Sequence, residues 1–246
     1  MMKKFNILVA ALGTLGFMAQ AEVGYDQSNW SYVRYDGPSI SLGPTQSLAG
    51  PHFRRNGEPG IGFSDVYGGK RIGFSGMTKM LNVDHNGVYN MVSGAPGYTK
   101  SVSIVNFSKV PNADVYFGEW SYAEDGKYTH IAYYAGQDIT TNMPEGGTAT
   151  YTVKGISQYI SDNPLSGTLT ADFGEQTLSG SMSNTDMTLL IDADISSDGH
   201  FAGGAITGDD VGVTEGHFFG DNAASLAGYA SFEDYTKDAS FGGSKQ

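Results

Sequence analysis

After residue 21 the chain alternates apolar and polar positions almost throughout, and helical periodicity is nearly absent. Side chains that take opposite faces at successive positions are the mark of half-buried strands. NWSYVRYDG alternates from Trp30, and GIGFSDVYGGKRIGFSGM reads as two strands around the Gly68-Gly69 turn. LNVDHNGVYNMV reads as a hairpin about Asn86-Gly87, because both central residues of a two-residue turn need positive φ and Asn and Gly reach it most cheaply. That turn predicts His85 opposite Val88, Val83 opposite Asn90 and Leu81 opposite Val92. KSVSIVNFSKV follows, then DVYFGEWSYAEDGKYTHIAYYAG folded across Asp125-Gly126, then GTATYTVKGIS. The last third is more regular. Turns at Gly174-Glu175 and Asp198-Gly199 and a loop from Asp221 to Ser225 separate alternating runs, and DASFGGSKQ closes the chain.

Strands at intervals of roughly 8 to 12 residues with turn signals between them predict an all-β barrel or sandwich. A meander of simple hairpins favours an up-and-down barrel, which also removes exposed edges. The pattern changes near Pro111-Asn112, from irregular strands with Pro, Arg and His in their loops (GPTQSLAGPHFRRNGEPG) to regular hairpins. This predicts an N-terminal ligand-bearing β domain over 22–110 and a C-terminal antiparallel barrel over 111–246.

The first 21 residues fit neither. MMKK is basic, FNILVAALGTLGF is apolar but too short for a permanent membrane span, and Ala19-Gln20-Ala21 has small residues where a signal peptidase reads them. A signal peptide over 1–21 predicts export through the periplasm and secretion from a Gram-negative bacterium. The chain has no cysteine, which excludes thiol catalysis, Cys-ligated metals and a lipid anchor on an N-terminal Cys. The net charge of −12 becomes −14 once Lys3 and Lys4 leave with the signal, which argues against nucleic acid and anionic membranes as partners. The 35 glycines, with abundant Tyr, Phe, Thr and Ser, suit a twisted β protein rich in turns.

The C-terminal half carries a recognisable series: GTATYTVKG, GTLTADFGEQTLSGSMS, EGHFFGDNAASLAGYASF and ASFGGSKQ. It resembles the eight-stranded C-terminal barrel of transferrin-binding-protein-B-type surface proteins that use the Slam translocon. In that pattern a Gly-Phe-Tyr-Gly strand end leads to an Asn-Ala loop, a strand with paired small residues, and a final Phe-Gly-Gly strand. Here those places hold His217-Phe218-Phe219-Gly220, Asn222-Ala223-Ala224 and Phe241-Gly242-Gly243. Most such proteins are lipoproteins, whereas this chain is small and lacks cysteine. In that it is similar to the hemophilins, secreted hemophores. The resemblance implies an N-terminal handle domain that holds haem b (iron protoporphyrin IX) for iron acquisition. It also implies a barrel read by a Slam-type outer-membrane translocon, a TonB-dependent haem receptor as destination, and a host haemoprotein as source.

Haem iron in a carrier takes axial His, less often Tyr or Met, and the macrocycle wants an apolar slot with cations near its propionates. Of five histidines, two stand out once that resemblance is granted. His85 ends a strand face shared with Leu81 and Val83, opposite Val88. His52 lies in AGPHFRRNGEPG beside Phe53, Arg54 and Arg55, which together offer a donor, a ring and two cations. The expected site is therefore His52 and His85 as axial ligands, with Phe53, Arg54, Val83 and Val88 around the haem. Each has a plainer reading: a half-exposed turn His, and a solvated basic loop. His130 reads as a barrel-wall residue, His200 as a turn residue and His217 as part of the barrel's own motif. Tyr25, Tyr32, Tyr35, Tyr67, Tyr89 and Tyr98 are further possible donors, and Met77, Met80 and Met91 are better explained by packing.

No G-x-S-x-G, H-E-x-x-H or P-loop is present, so no enzyme is expected. SSDGH and TGDDVG lack the ligand spacing of an EF-hand. Two other readings remain open. One is a secreted module whose handle binds a host protein. The other is a metal-ion site built from His52, His85 and Asp84.

Overall fold

The computed structural model describes residues 22–28, 39–46, 56–64, 69–93, 101–124, 127–159 and 163–246. Its strands form three layers. A small sheet, β2 (Ile40–Pro44), β3 (Pro59–Phe63) and β4 (Ile72–Gly73), leads into a one-turn helix α1 (Phe74–Met77). A five-stranded antiparallel sheet has the order β1-β8-β7-β6-β5. It comprises β1 (Val23–Gln27), β5 (Val88–Ser93), β6 (Ser101–Lys109), β7 (Val115–Glu124) and β8 (Lys127–Gln137). A closed antiparallel barrel follows: β9 (Thr148–Ile156), β10 (Leu165–Asp172), β11 (Thr177–Ser183), β12 (Thr188–Ile195), β13 (His200–Thr207), β14 (Asp210–Phe219), β15 (Ser225–Ser231) and β16 (Ala239–Lys245). Its eight strands run in sequence order, and β16 closes on β9 through pairs such as Gly243 with Val153.

The barrel interior is built by period two. Leu165, Leu169 and Ala171 on β10, Ile191 and Ala193 on β12, and Phe201, Phe218 and Phe241 point inward into one apolar cluster. The hairpins turn where the sequence placed them, at 173–176, 196–199 and 220–224.

The expected break after residue 110 does not coincide with the break between sheets. Val110 to Val115 is a tight hairpin inside one sheet, closed by the Val110 N–H bond to the Val115 carbonyl at 2.9 Å. β7 and β8 belong with β5, β6 and β1, and the closed barrel spans 148–245. The reason is that the five-stranded sheet is covered on both faces. Phe107, Tyr116, Trp120 and Tyr133 pack on Ile61, Phe63 and Phe74 of the small layer. Val115, Phe117, Ala132 and Tyr134, on the alternate positions, pack on Ile156, Phe219 and Tyr229 of the barrel. A strand buried on both sides reads as a continuous apolar run, so the VYFGEW and HIAYYA segments give no sign of which layer they join.

Candidate functional site

The loop that carries His85 is a three-residue hairpin turn rather than the two-residue one expected. Val83 bridges Tyr89, and the Asp84 N–H donates to the Val88 carbonyl at 3.0 Å, so His85, Asn86 and Gly87 form the loop. Only Gly87 takes a positive φ, +84°, the left-handed residue that ends such loops. The cause is Asp84. Its Oδ1 accepts the N–H groups of Asn86 and Val88, both at 2.9 Å, an Asx turn that holds the wider loop.

The new register separates the residues expected to share one face. His85 is exposed, and so are Val83 (51 % exposed) and, earlier in the chain, Met80 (54 %), while Leu81 is half-buried against the N-terminal core. Val88, expected around the haem, is buried between the sheet and the barrel among Val110, Val115 and Phe117.

Partners from three elements fix the loop. Ser108 of β6 donates Oγ–H to the Gly87 carbonyl at 2.9 Å. Lys154 of β9 donates Nζ–H to the Asn86 carbonyl at 2.9 Å. The Tyr159 hydroxyl donates to Asp84 Oδ2 at 2.5 Å and accepts from Asn86 Nδ2 at 3.1 Å. Burial alone would raise the Asp84 carboxyl, but the Tyr159 bond, the two backbone N–H groups and the charge of His85 together hold it below its ordinary value. Sequence reasoning named Asp84 only as a possible metal ligand and missed Lys154 and Tyr159. An Asp two residues before Asn-Gly is the available signal for the Asx turn.

His52, Phe53 and Arg54 lie outside the described residues. The strands that flank their segment are described. Thr45 donates its N–H to the Glu58 carbonyl at 2.8 Å, and Gly57 donates to the Thr45 carbonyl at 3.0 Å. The Glu58 carboxylate accepts the Ser75 hydroxyl at 2.7 Å. From Ser75 a row of rings leads to the His85 hairpin. Phe74 packs edge-on to Phe107 with centroids 5.2 Å apart, and Phe107 stacks on Tyr89 at 5.0 Å. Tyr116 stacks on Phe74 at 5.0 Å. Burial raises the Tyr116 phenol, and the charges of Asp114 and Glu58, with Tyr89, raise it further.

The other histidines are engaged elsewhere. His130 lies in β8 of the five-stranded sheet, not in the barrel wall, and both ring nitrogens are occupied. Nε2 bonds Glu119 Oε2 at 2.8 Å, and Nδ1 bonds the Tyr235 carbonyl at 3.0 Å. The carbonyl accepts, as does an ionised Glu119, an arrangement that favours the imidazolium, and with both nitrogens occupied the ring offers no donor to iron. Burial opposes that charge, but Glu119 outweighs it and raises His130 above its ordinary value. His217 packs edge-to-face on His200 with centroids 5.0 Å apart, a contact with no room for a macrocycle between the rings, and its Nδ1 meets the Tyr134 hydroxyl at 2.6 Å. Burial lowers His217 to about 4. Among the described residues, no group of three or more His, Asp or Glu could hold a metal ion. Met77 is buried and Met91 packs on the same core, whereas Met80 departs from the packing expected of it. Tyr25 is 43 % exposed and Tyr89 is stacked in the ring row; Tyr32, Tyr35, Tyr67 and Tyr98 lie outside the described residues.

Comparison with known proteins supplies the remaining part of the picture. Residues 18–131 match the model of the HphA N-terminal heme-binding domain, and residues 141–245 match that of the HphA C-terminal domain. An uncharacterised protein of Haemophilus influenzae is 29 % identical over 181 residues, which is 67 % of this chain and 61 % of that relative. The chain therefore spans less than two thirds of that relative's length. Among solved structures, HpuA of Kingella denitrificans, determined in complex with human haemoglobin, superimposes with a TM-score of 0.58 at 17 % identity over 93 % of this chain and 88 % of that one. A transferrin-binding protein B double mutant of Haemophilus parasuis gives a TM-score of 0.52 at 17 % identity over 84 % of this chain and 45 % of that one. At these identities the two structures support the fold.

Proposed function

Because the chain belongs to the HphA, or hemophilin, family, we propose that it is a hemophore that captures haem b through His85 and His52 and carries it to a cell-surface receptor. One observation carries the assignment of His85. An exposed imidazole stands on a hairpin whose loop is bonded by three side chains from other elements, and Val83 beside it in the chain is exposed too. The residues fit the group in their chemistry: an imidazole for the iron and an exposed apolar side chain, Val83, on the same hairpin for the macrocycle. Haem, when bound, would supply an iron for the imidazoles to hold.

The chain's own residues do the rest in this reading. His85 binds from the fixed hairpin, and His52 binds from the segment between β2 and β3. Phe53 stacks on the ring, and Arg54 neutralises a propionate. Val83, exposed on the same hairpin, would exclude water from the face that His85 would occupy. Export after loss of residues 1–21, recognition of the barrel by a Slam-type translocon, uptake from a host haemoprotein and delivery to a TonB-dependent receptor complete the proposal.

The test is a visible absorption titration of the purified protein with hemin, run beside His52→Ala and His85→Ala. A saturating low-spin Soret band at one equivalent, altered in both variants, supports a bis-histidine carrier. A band unchanged in either variant removes that histidine from the ligand set. No saturable band refutes haem capture and turns attention to host proteins as ligands.

A further inference from the structure

Three of the groups that fix the His85 loop divide between layers: Ser108 belongs to the N-terminal sheet, whereas Lys154 and Tyr159 belong to the barrel and the segment leaving it. Tyr159 is itself held firmly. Its N–H donates to buried Glu119 Oε1 at 2.6 Å, and its carbonyl accepts from buried Asn106 Nδ2 at 3.0 Å. Asn106 in turn accepts from Asn90 of the neighbouring strand at 2.6 Å. A polar row thus crosses the barrel-facing side of the sheet and ends at a tyrosine whose hydroxyl reaches both residues that flank His85.

We propose that Tyr159 and Lys154 are positioning residues for the His85 imidazole, so that the barrel region forms part of the haem site as well as any export address. The inference rests on His85 being an iron ligand. The physical reason is that an imidazole at a three-residue turn inherits its direction from the loop backbone. Here the Asp84 carboxylate and the Asn86 carbonyl are set from the barrel side. A ligand held in advance loses less freedom on binding; partners bonded directly to a ligating imidazole change affinity by about 10- to 100-fold, and Tyr159 and Lys154, which act through Asp84 and Asn86, should reach the low end of that range.

The experiment compares wild type, Tyr159→Phe, Lys154→Met, His85→Ala and Ser244→Ala, each loaded with hemin. Ser244 donates to the Pro111 carbonyl at 3.3 Å, a sheet-to-barrel hydrogen bond outside this network, and serves as the interface control. Two quantities are read: haem dissociation into a scavenger, and the low-spin ferric EPR g-values, which report the relative orientation of the two axial ligand planes. Thermal unfolding of the apo proteins runs alongside. The expected result is dissociation about tenfold faster and shifted g-values in Tyr159→Phe and Lys154→Met, with Ser244→Ala like wild type. If His85→Ala loses the low-spin signal but Tyr159→Phe and Lys154→Met match wild type, positioning is refuted and the ligand assignment stands. If Ser244→Ala shifts the g-values equally, a general loosening explains the effect and positioning is refuted. If His85→Ala behaves like wild type, both the ligand assignment and the positioning fall.

Discussion

The buried pair of Glu119 and His130 provides the sharpest test of how the sheet and the barrel are joined. Each residue is 1 % exposed. Glu119 Oε2 accepts from His130 at 2.8 Å, and Oε1 accepts from Asn106 at 2.8 Å and from the Tyr159 N–H at 2.6 Å. Glu119→Gln keeps the shape but removes the charge and turns an amide N–H toward one of these donors. Burial would raise the Glu119 carboxyl, yet the His130 bond and charge and the two other donors hold it below its ordinary value. Removing one partner of such a pair leaves a buried charge uncompensated and costs about 3–5 kcal/mol. The sign of the pH dependence follows. A lowered carboxyl contributes stability that is present above its unfolded value and lost as pH falls. A raised histidine contributes stability that is present below about 6.5 and lost as pH climbs through its folded value. In Glu119→Gln burial dominates and His130 favours its neutral form, so its alkaline loss of stability disappears and stability instead falls as pH drops below about 6.5, with a slope of at most about 1.4 kcal/mol per unit. The assay is urea unfolding of both proteins from pH 4 to 9. The difference between the two curves reduces the contribution of Asp238, which burial raises to about 6 and which feels the charge of His130. An alkaline slope in Glu119→Gln identical to wild type would refute the imidazolium argument.

Other consequences are simpler to state. His217, lowered to about 4 by burial, stays neutral while the unfolded chain protonates below about 6.5, so it contributes stability that is lost as pH falls; His217→Gln should flatten the acid limb of a pH-resolved melt. A Cβ at Gly216 would meet the Phe201 ring at 2.1 Å and the Ala227 carbonyl at 2.4 Å, so Gly216→Ala should destabilise the barrel by at least about 1–3 kcal/mol in chemical denaturation. Phe201 packs against Phe218 at 5.6 Å and stacks on Phe241 at 6.2 Å, and Phe201→Ala should cost about 3–5 kcal/mol in the same assay. Ser103→Ala strands the Trp120 Nε1–H, which donates to Ser103 at 2.8 Å, at a cost of about 1–3 kcal/mol, read by tryptophan fluorescence during urea unfolding.

The barrel was legible because its strands are covered on the inside and wet on the outside, which writes a clean alternation into residues 148–245. β7 and β8 were not, because burial on both faces erases that alternation. The same erasure hid the polar row. A carboxylate in VYFGEW and a histidine in THIAYYAG, on the two arms of one hairpin, are the only trace of a buried ion pair, and the period alone does not say that they meet. His130, His200 and His217 were read as structural, which their partners support. At the His85 loop, Asn86-Gly87 gave the turn's place but not its length, since the side chain of Asp84 two residues earlier decides the length. Lys154 and Tyr159 had no local signal, for their role depends on two layers meeting some 70 residues apart in sequence.

The order of strands in the five-stranded sheet sets a schedule for folding. β1 sits beside β8, with Ser28 bonded to Ala132 across 104 residues of chain, and the barrel closes where Gln246 reaches Thr152 across 94. The strand made first waits for the eighth, and the barrel waits for the sixteenth. Loop closure of that length comes before any contact that rewards it, which places the chain among slow, milliseconds-to-seconds folders. A chain cut short before β16 would keep two open barrel edges at β9 and β15, each ready to pair with another copy.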